Sequence, residues 1–172
     1  IAPALLGGLV ASIELEDRVQ VVRLDPPSNL QVVAWIPDRK LPTAEMRRVL
    51  PDSVPRADAI ANLTRVAVGV AGLASGRLDV LDLLTRDRLH EPYRAKVYPE
   101  LPDLIAAARD AGAIGACLAG SGSTIVAFID VTDSGMADRV GAAFSATASR
   151  LDQPGRVVVL DTAPTGARVA AR

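Results

Sequence analysis

Several residue types are scarce in this sequence, and each shortage excludes a class of structure or site. The chain has 172 residues and a single cysteine, Cys117, so no disulfide can form within it. It also has a single histidine, which leaves no basis for a zinc site of the Cys/His type. Aromatic residues make up 3% of the chain, so we expect a core of Ala, Val, Leu and Ile. The formal net charge is -1, and no basic field is present to attract nucleic acid.

Signals for a membrane or for export are also missing. No apolar run reaches the ~18 residues that a membrane-spanning helix needs. The first residues lack the basic and apolar regions of a signal peptide, so a soluble cytoplasmic protein is the default expectation. The apolar segment 1–6 runs directly into Gly7-Gly8, which is typical of a helix end. We therefore expect a chain that was cut from a longer one.

Hydrophobic periodicity predicts a mixture of strands and helices. An antiparallel sheet with helices on one face is expected, which is an α+β fold, and the order of its last elements fits a ferredoxin-like subdomain. The segment 86–99 is predicted to be irregular, and the tail after 160 to be frayed. The predicted elements are a hairpin (9–24), a covered strand (30–36), helices (from Thr43, then 56–73, 78–84 and 101–111), two strands joined by a glycine loop (114–130), a helix (135–149) and a strand (156–160).

The long helix predicted over 56–73 carries both apolar and polar candidates. Asn62 and Arg65 are three residues apart and so lie on the same face, either as part of a site or as a solvated pair. Apolar residues also form one stripe, of the kind that an amphipathic helix turns toward a core. The stripe consists of Ile60, Leu63, Ala67, Val70 and Ala74.

The sharpest local signal is the loop Gly120-Ser121-Gly122-Ser123. Two glycines leave the backbone bare, so that the amides of the loop could bind an anion. A tight hairpin that needs positive φ angles would use the same residues. Both interpretations remain open from the loop alone.

A second candidate is the segment from His90 to Arg94, which contains Pro92. A proline-stiffened loop can hold a guanidinium in a fixed place, and a guanidinium suits a carboxylate ligand. The alternative is a surface loop with a capping arginine. One histidine in a loop is a weak basis for a hydrolytic triad, and Cys117 lies in an apolar run that favours a core position. The catalytic base stays unassigned.

Taken together, these segments resemble the homoserine kinases of the GHMP kinase superfamily. The order and spacing of the matching segments agree over residues 1 to about 130. Ala119 and Ser123 depart from the usual third motif, and the family's upstream phosphate loop and acidic Mg²⁺ ligand have no counterpart in the chain. The segments that resemble the family are 1–9 (IAPALLGGL), 41–51 (LPTAEMRRVLP), 62–65 (NLTR), 89–94 (LHEPYR) and 115–124 (GACLAGSGST).

The resemblance implies ATP-dependent phosphorylation of the L-homoserine side-chain hydroxyl, a step of threonine biosynthesis, by a protein of which this chain is an inactive part. It implies that Arg65 and Arg94 hold the homoserine carboxylate, that Asn62 lines the same pocket and that His90 orders the arginine loop. The loop Gly120, Ser121, Gly122 and Ser123 would pack beside the phosphate loop. ATP and Mg²⁺ would be bound mainly outside this chain. A homodimer is expected as well.

The resemblance also divides the chain. Residues 1–28 would be the end of an N-terminal kinase domain, and residues 29–172 would form the C-terminal domain. Two other functions stay open. One is another GHMP kinase, of the mevalonate or shikimate type. The other is a ferredoxin-like module that binds an amino acid.

Overall fold

The computed structural model describes residues 2–169 of the chain. Its elements in chain order are α1 (Ala2–Leu6), β1 (Leu9–Glu14), β2 (Val19–Leu24), β3 (Leu30–Pro37), α2 (Thr43–Arg48), α3 (Arg56–Ala74), α4 (Leu81–Leu84), α5 (Glu91–Arg94), α6 (Leu101–Asp110), β4 (Gly115–Leu118), β5 (Ile125–Asp130), α7 (Met136–Arg150) and β6 (Gly155–Asp161).

Strands β1 and β2 form a separate two-stranded antiparallel hairpin, as the alternating sequence predicts. The hairpin is held to the segment after β6. The Gly8 amide donates to the Ala163 carbonyl at 2.7 Å, and the Arg23 guanidinium donates to the Pro164 carbonyl at 2.7 Å. The prediction of a frayed tail is therefore wrong for these residues, while residues 170–172 lie outside the described part.

The four remaining strands form one sheet in the order β4-β5-β3-β6, and every neighbouring pair is antiparallel. Helices connect β3 to β4 and β5 to β6, and a loop joins β4 to β5. This order and these connections are those of a ferredoxin-like sheet. The predicted α+β fold class is confirmed.

The main core lies where α6 and α7 cover one face of this sheet. Alternate residues of β3 and β5 point into it, because successive side chains of a strand face opposite sides. The expected aliphatic core is present, but three of the few aromatic side chains also lie inside it: Trp35, Tyr98 and Phe144.

A second, smaller cluster lies on the opposite face of the sheet. The residues that β3 and β5 contribute to it have even numbers, whereas those that they contribute to the main core have odd numbers. Leu30 of β3 and Phe128 of β5 meet the end of α3 and the start of α4 there. The close approach of α3 to α4 depends on glycine, because a Cβ atom at Gly69 would lie 2.8 Å from the Leu84 side chain. This packing places the loop after α4 beside β4.

The apolar stripe of α3 is not buried, which makes the expectation of a core-facing stripe wrong. Ile60 and Leu63 are 50% and 70% exposed. The inward face instead carries Asn62 and Arg65, both half-buried. Alone among the helices described over 2–169, α3 is long and apolar enough by length and composition to cross a membrane, although Asp58 and Arg65 interrupt its apolar sequence. One such helix is weak support for a membrane span, because its polar inner face is engaged by the protein.

Candidate functional site

The segment after α4 is organised by one carboxylate, that of Asp87. It accepts hydrogen bonds from the amides of Leu89 at 3.1 Å, His90 at 2.6 Å and Glu91 at 2.6 Å. These amides precede or begin α5, where a short helix leaves its first N–H groups without partners. The segment 86–99, which the sequence predicts to be irregular, therefore contains a one-turn helix that Asp87 caps.

Helix α3 fixes the same segment from behind. The Asn62 amide group donates to Asp87 Oδ1 at 2.7 Å, and its oxygen accepts from the Arg88 amide at 2.9 Å. Arg65 Nη1 donates to the Arg86 carbonyl at 2.6 Å. Partial burial would raise the pKa of Asp87, but the bonds from the Glu91 amide and the Asn62 side chain outweigh it and lower the pKa to about 2.

Arg94, at the end of α5, is buried with 9% of its surface exposed. Its Nε atom donates to the Met46 carbonyl at 3.3 Å, and Nη1 donates to the Gly120 carbonyl at 2.8 Å. Within residues 2–169, the third nitrogen, Nη2, has no hydrogen-bond partner. A buried guanidinium with an unused donor is suited to a carboxylate or phosphate ligand.

The glycine loop connects β4 to β5 in a tight turn. Ala119 donates its amide to the Thr124 carbonyl at 2.9 Å, and the Gly122 amide donates to the Ala119 carbonyl at 3.0 Å. Gly120 and Gly122 have φ angles of 58° and 99°, which other residues rarely adopt. The loop is thus a tight hairpin that requires glycine at two positions, and one of these glycines, Gly120, also accepts a hydrogen bond from Arg94.

The other side of the loop is anchored to segments that follow β3. Ser121 Oγ lies 3.2 Å from Thr43 Oγ1 at the start of α2, and Ser123 Oγ donates to the Arg39 carbonyl at 2.9 Å. Arg47 follows Thr43 by one helical turn, so both lie on the face of α2 beside the loop, and Arg47 is exposed.

These parts surround a cavity of about 370 Å³. Of the predicted site residues, His90, Arg94 and Gly120 line it. Asn62 and Arg65 do not line it, but they hold the segment that forms its wall. The cavity is lined by Leu84, Thr85, Asp87, His90, Glu91, Arg94, Cys117, Leu118 and Gly120.

The charges of the cavity are mixed. Asp87 supplies a carboxylate and Arg94 supplies a cation, so a zwitterionic ligand would find partners for both of its charges. Burial raises the pKa of the Glu91 carboxyl, against a hydrogen bond from the Leu118 amide. Burial also raises the pKa of the Cys117 thiol to about 12, so this cysteine is not a thiolate nucleophile at neutral pH.

Three residues of this site were not recognised from the sequence: Thr43, Asp87 and Glu91. Asp87 lies upstream of His90, the N-cap residue of α5, and so falls outside the N-cap pattern that a sequence can show. Glu91 offered no signal either, because its partner in β4 is distant in the sequence. Over residues 2–169, no group of three His, Cys, Asp or Glu side chains could hold a metal ion.

The comparisons with known proteins agree with this geometry. A family model described as GHMP kinases C terminal matches residues 70–149, which include α5, the glycine loop and all of α7 except its last residue. Over residues 70–149 the chain belongs to the GHMP kinase family. It matches the C-terminal portion of these proteins.

Curated relatives of this GHMP kinase chain include homoserine kinases. That of Moorella thermoacetica is 43% identical over 150 residues, which cover 87% of this chain and 49% of the relative. That of Deinococcus radiodurans is 42% identical over 130 residues, which cover 76% of this chain and 42% of the relative. The chain thus spans about half the length of the curated relatives it matches.

Solved structures give the same result for the fold. The homoserine kinase of Cytophaga hutchinsonii superposes with a TM-score of 0.87 at 30% identity, covering 96% of this chain and 51% of that one. The mevalonate kinase of L. major superposes with a TM-score of 0.69 at 17% identity, covering 94% and 51% of the two chains. The second likeness concerns the fold alone.

Proposed function

We propose that this chain is the C-terminal half of a homoserine kinase, which transfers the γ-phosphoryl group of ATP to the side-chain hydroxyl of L-homoserine. The observation that carries the proposal is the buried Arg94 beside the glycine loop, with one nitrogen left for a ligand, in a chain whose relatives are named homoserine kinases. The product would be O-phosphohomoserine, an intermediate of threonine biosynthesis.

In this proposal Arg94 binds the homoserine carboxylate and sets the position of the substrate. Phosphoryl transfer depends mainly on positioning and on charge stabilisation, so a fixed cation of this kind contributes directly. Arg65 is a second candidate for the carboxylate, since only its Nη1 atom is engaged by the described residues, but it lies behind the cavity wall and would have to reach the ligand past the 86–88 segment. Asn62 and His90 act by holding the 86–94 segment. No catalytic base is assigned to this half.

ATP would be bound mainly by the preceding half of the protein, with the glycine loop packing beside the phosphate loop. Mg²⁺ would neutralise phosphate charge when bound. The described residues do not form a magnesium site, since they offer no cluster of carboxylates for it. We therefore assign no step of the reaction in this half to the metal.

The division of the chain is also proposed. Among the strands of residues 2–169, β1 and β2 pair with each other and with no other strand. A depression of about 510 Å³ on their surface is lined mostly by apolar side chains, among them Leu5, Leu6 and Val19, together with Ser12 and Glu14. These features favour residues 1–28 as the end of an N-terminal domain and 29–172 as the C-terminal domain. A cytoplasmic location and a homodimer complete the proposal.

Replacing Arg94 tests the proposal in the full-length protein. Arg94→Ala removes the guanidinium, and we expect the KM for homoserine to rise about 10- to 100-fold while the KM for ATP changes about twofold or less. Arg94→Lys should recover little, because an ammonium cannot reproduce the geometry in which the guanidinium donates to the Met46 and Gly120 carbonyls and still presents Nη2 to the substrate. Steady-state kinetics at varied homoserine and varied ATP measure both constants.

The control is Arg150→Ala, since Arg150 is a surface arginine, 65% exposed. It should leave both constants unchanged. An Arg94→Ala enzyme with the wild-type KM for homoserine would rule out the carboxylate role.

A further inference from the structure

Strand β4 lies at the edge of the sheet, and side chains satisfy its outward-facing backbone groups. The Ala116 carbonyl accepts a hydrogen bond from Arg109 Nη2 at 3.1 Å. The Leu118 amide donates to Glu91 Oε1 at 2.7 Å. Because residues 116 and 118 are two apart in the strand, their backbone N–H and C=O groups point to the same edge of β4. On that side an edge strand would otherwise expose unpaired donors and acceptors.

The two side chains come from different helices and are attached elsewhere. Glu91 lies in the first turn of α5 and donates its amide to Asp87, and Arg109 lies in the last turn of α6. Arg109 Nη2 also lies 3.2 Å from both the carbonyl and the hydroxyl oxygen of Thr85. The edge of β4 is thus fixed to two helices rather than to another strand.

The end of β4 leads directly into the glycine loop. Leu118 is the last residue of the strand, and Gly120, two residues later, accepts the hydrogen bond from Arg94. Glu91 and Arg94 lie three residues apart on the same one-turn helix. Helix α5 is therefore hydrogen-bonded to the start of the loop at two points. The Glu91 carboxylate accepts from the Leu118 amide, and the Arg94 guanidinium donates to the Gly120 carbonyl.

We propose that Glu91 is a positioning residue that sets the place of the glycine loop relative to Arg94 by accepting the Leu118 amide, with Arg109 holding the preceding outward carbonyl. The catalytic consequence rests on the proposed homoserine kinase function. If Arg94 holds the substrate carboxylate, loss of the Glu91 contact moves the loop against the substrate. Glu91 itself acts through the loop and through Arg94, not on the reacting atoms.

Three substitutions of Glu91 in the full-length protein separate the hydrogen bond from the charge. Glu91→Ala removes the acceptor, and the KM for homoserine should rise about 10-fold with little change in the KM for ATP. Glu91→Gln keeps a side-chain oxygen at the same reach and should stay within about threefold of wild type. Glu91→Asp keeps the charge but is one methylene too short, so it should behave like Glu91→Ala.

The matched control is Asp138→Ala, because Asp138 is an exposed acidic residue in the first turn of α7. It should leave both KM values unchanged. If Glu91→Ala does not fold, the KM values of Glu91→Gln and Glu91→Asp still test the positioning role. Wild-type kinetics for Glu91→Ala, or better retention with Asp than with Gln, would overturn the positioning role.

Amide hydrogen exchange of Leu118, followed by NMR in the full-length protein, tests the contact without any assay of activity. We expect Glu91→Ala to lose the protection of this amide by about 10-fold or more and Glu91→Gln to keep it. If the wild-type protein does not phosphorylate homoserine, the proposed function is wrong. Amide exchange of Leu118 would still test the hydrogen bond between Glu91 and Leu118. Equal exchange in wild type and Glu91→Ala would refute the positioning role itself.

Discussion

Asp87 orders the site through its hydrogen bonds. Its carboxylate joins α3, through Asn62, to the first turn of α5, and it lies 3.1 Å from His90 Nδ1. Hydrogen bonds to a charged carboxylate are stronger than those to a neutral group, so ionised Asp87 stabilises the fold. The placement of Arg94 depends on this cap, because Arg94 follows on the same helix.

The lowered pKa of Asp87 makes part of the stability dependent on pH. Since the folded pKa is about 2 and the ordinary value is 3.8, the contribution is fully present above about pH 4 and is lost as the pH falls toward 2. Asp87→Asn should lower the free energy of unfolding by about 1 kcal/mol at neutral pH, after allowance for solvent screening. The difference from wild type should shrink as the pH falls below about 4 toward 2.

Urea unfolding of the two proteins at several pH values gives this difference directly. Ser149→Ala, at an exposed position on α7, is the control; because it removes no titratable group, its difference from wild type should not change with pH. A gap between wild type and Asp87→Asn that stays constant down to about pH 3 would contradict the assignment of the low pKa.

Among single residues, the sequence predicts those that belong to a local pattern. Gly120 and Gly122 are recognisable because glycine is required at positive φ, and Arg94 stands out in its proline-containing segment. Glu91 could not be predicted as part of the site, because its partner, the Leu118 amide, is reached only after the chain has folded through α6. Local patterns carry no information on such distant partners.

At the scale of elements, the sequence predicts where helices and strands lie better than which face they bury. Helix α3 was expected over 56–73 and is found over Arg56–Ala74. Its buried face was expected to be the apolar stripe, whereas Asn62 and Arg65 turn inward. The error arises because two polar side chains found partners in the 86–88 segment, and periodicity cannot anticipate such partners.

The packing of α4 on β4 depends on the absence of a side chain at Gly115. A Cβ atom there would lie 2.5 Å from the Leu81 carbonyl oxygen and 2.6 Å from Thr85 Oγ1. Gly115→Ala should therefore reduce the free energy of unfolding by about 2 kcal/mol, because backbone atoms must move. It should also weaken homoserine binding, since β4 leads into the glycine loop.

Thermal unfolding followed by circular dichroism measures the first effect. Ser149→Ala, at an exposed position on α7, serves as the control and should unfold within about 0.5 kcal/mol of wild type. A Gly115→Ala protein as stable as wild type would show that α4 does not pack on β4 in this way.

At the scale of the whole molecule, the chain forms a ferredoxin-like domain that presents the buried guanidinium of Arg94 beside a glycine loop. It spans about half the length of its curated relatives, covering 49% of the Moorella thermoacetica protein. Apolar side chains of α3 and of the hairpin are exposed, among them Leu63 and Ile13. We expect the phosphorylating activity to belong to the full-length protein and not to this half.

The decisive measurement is a phosphotransfer assay of the full-length protein with ATP, comparing homoserine, mevalonate and shikimate as acceptors. We predict that homoserine is phosphorylated with a kcat/KM at least about 100-fold above the other two, and that the 172-residue chain alone gives no product. Preference for mevalonate or shikimate would assign the protein to another kinase of the family. Homoserine phosphorylation by the 172-residue chain alone would contradict the division of labour between the two halves.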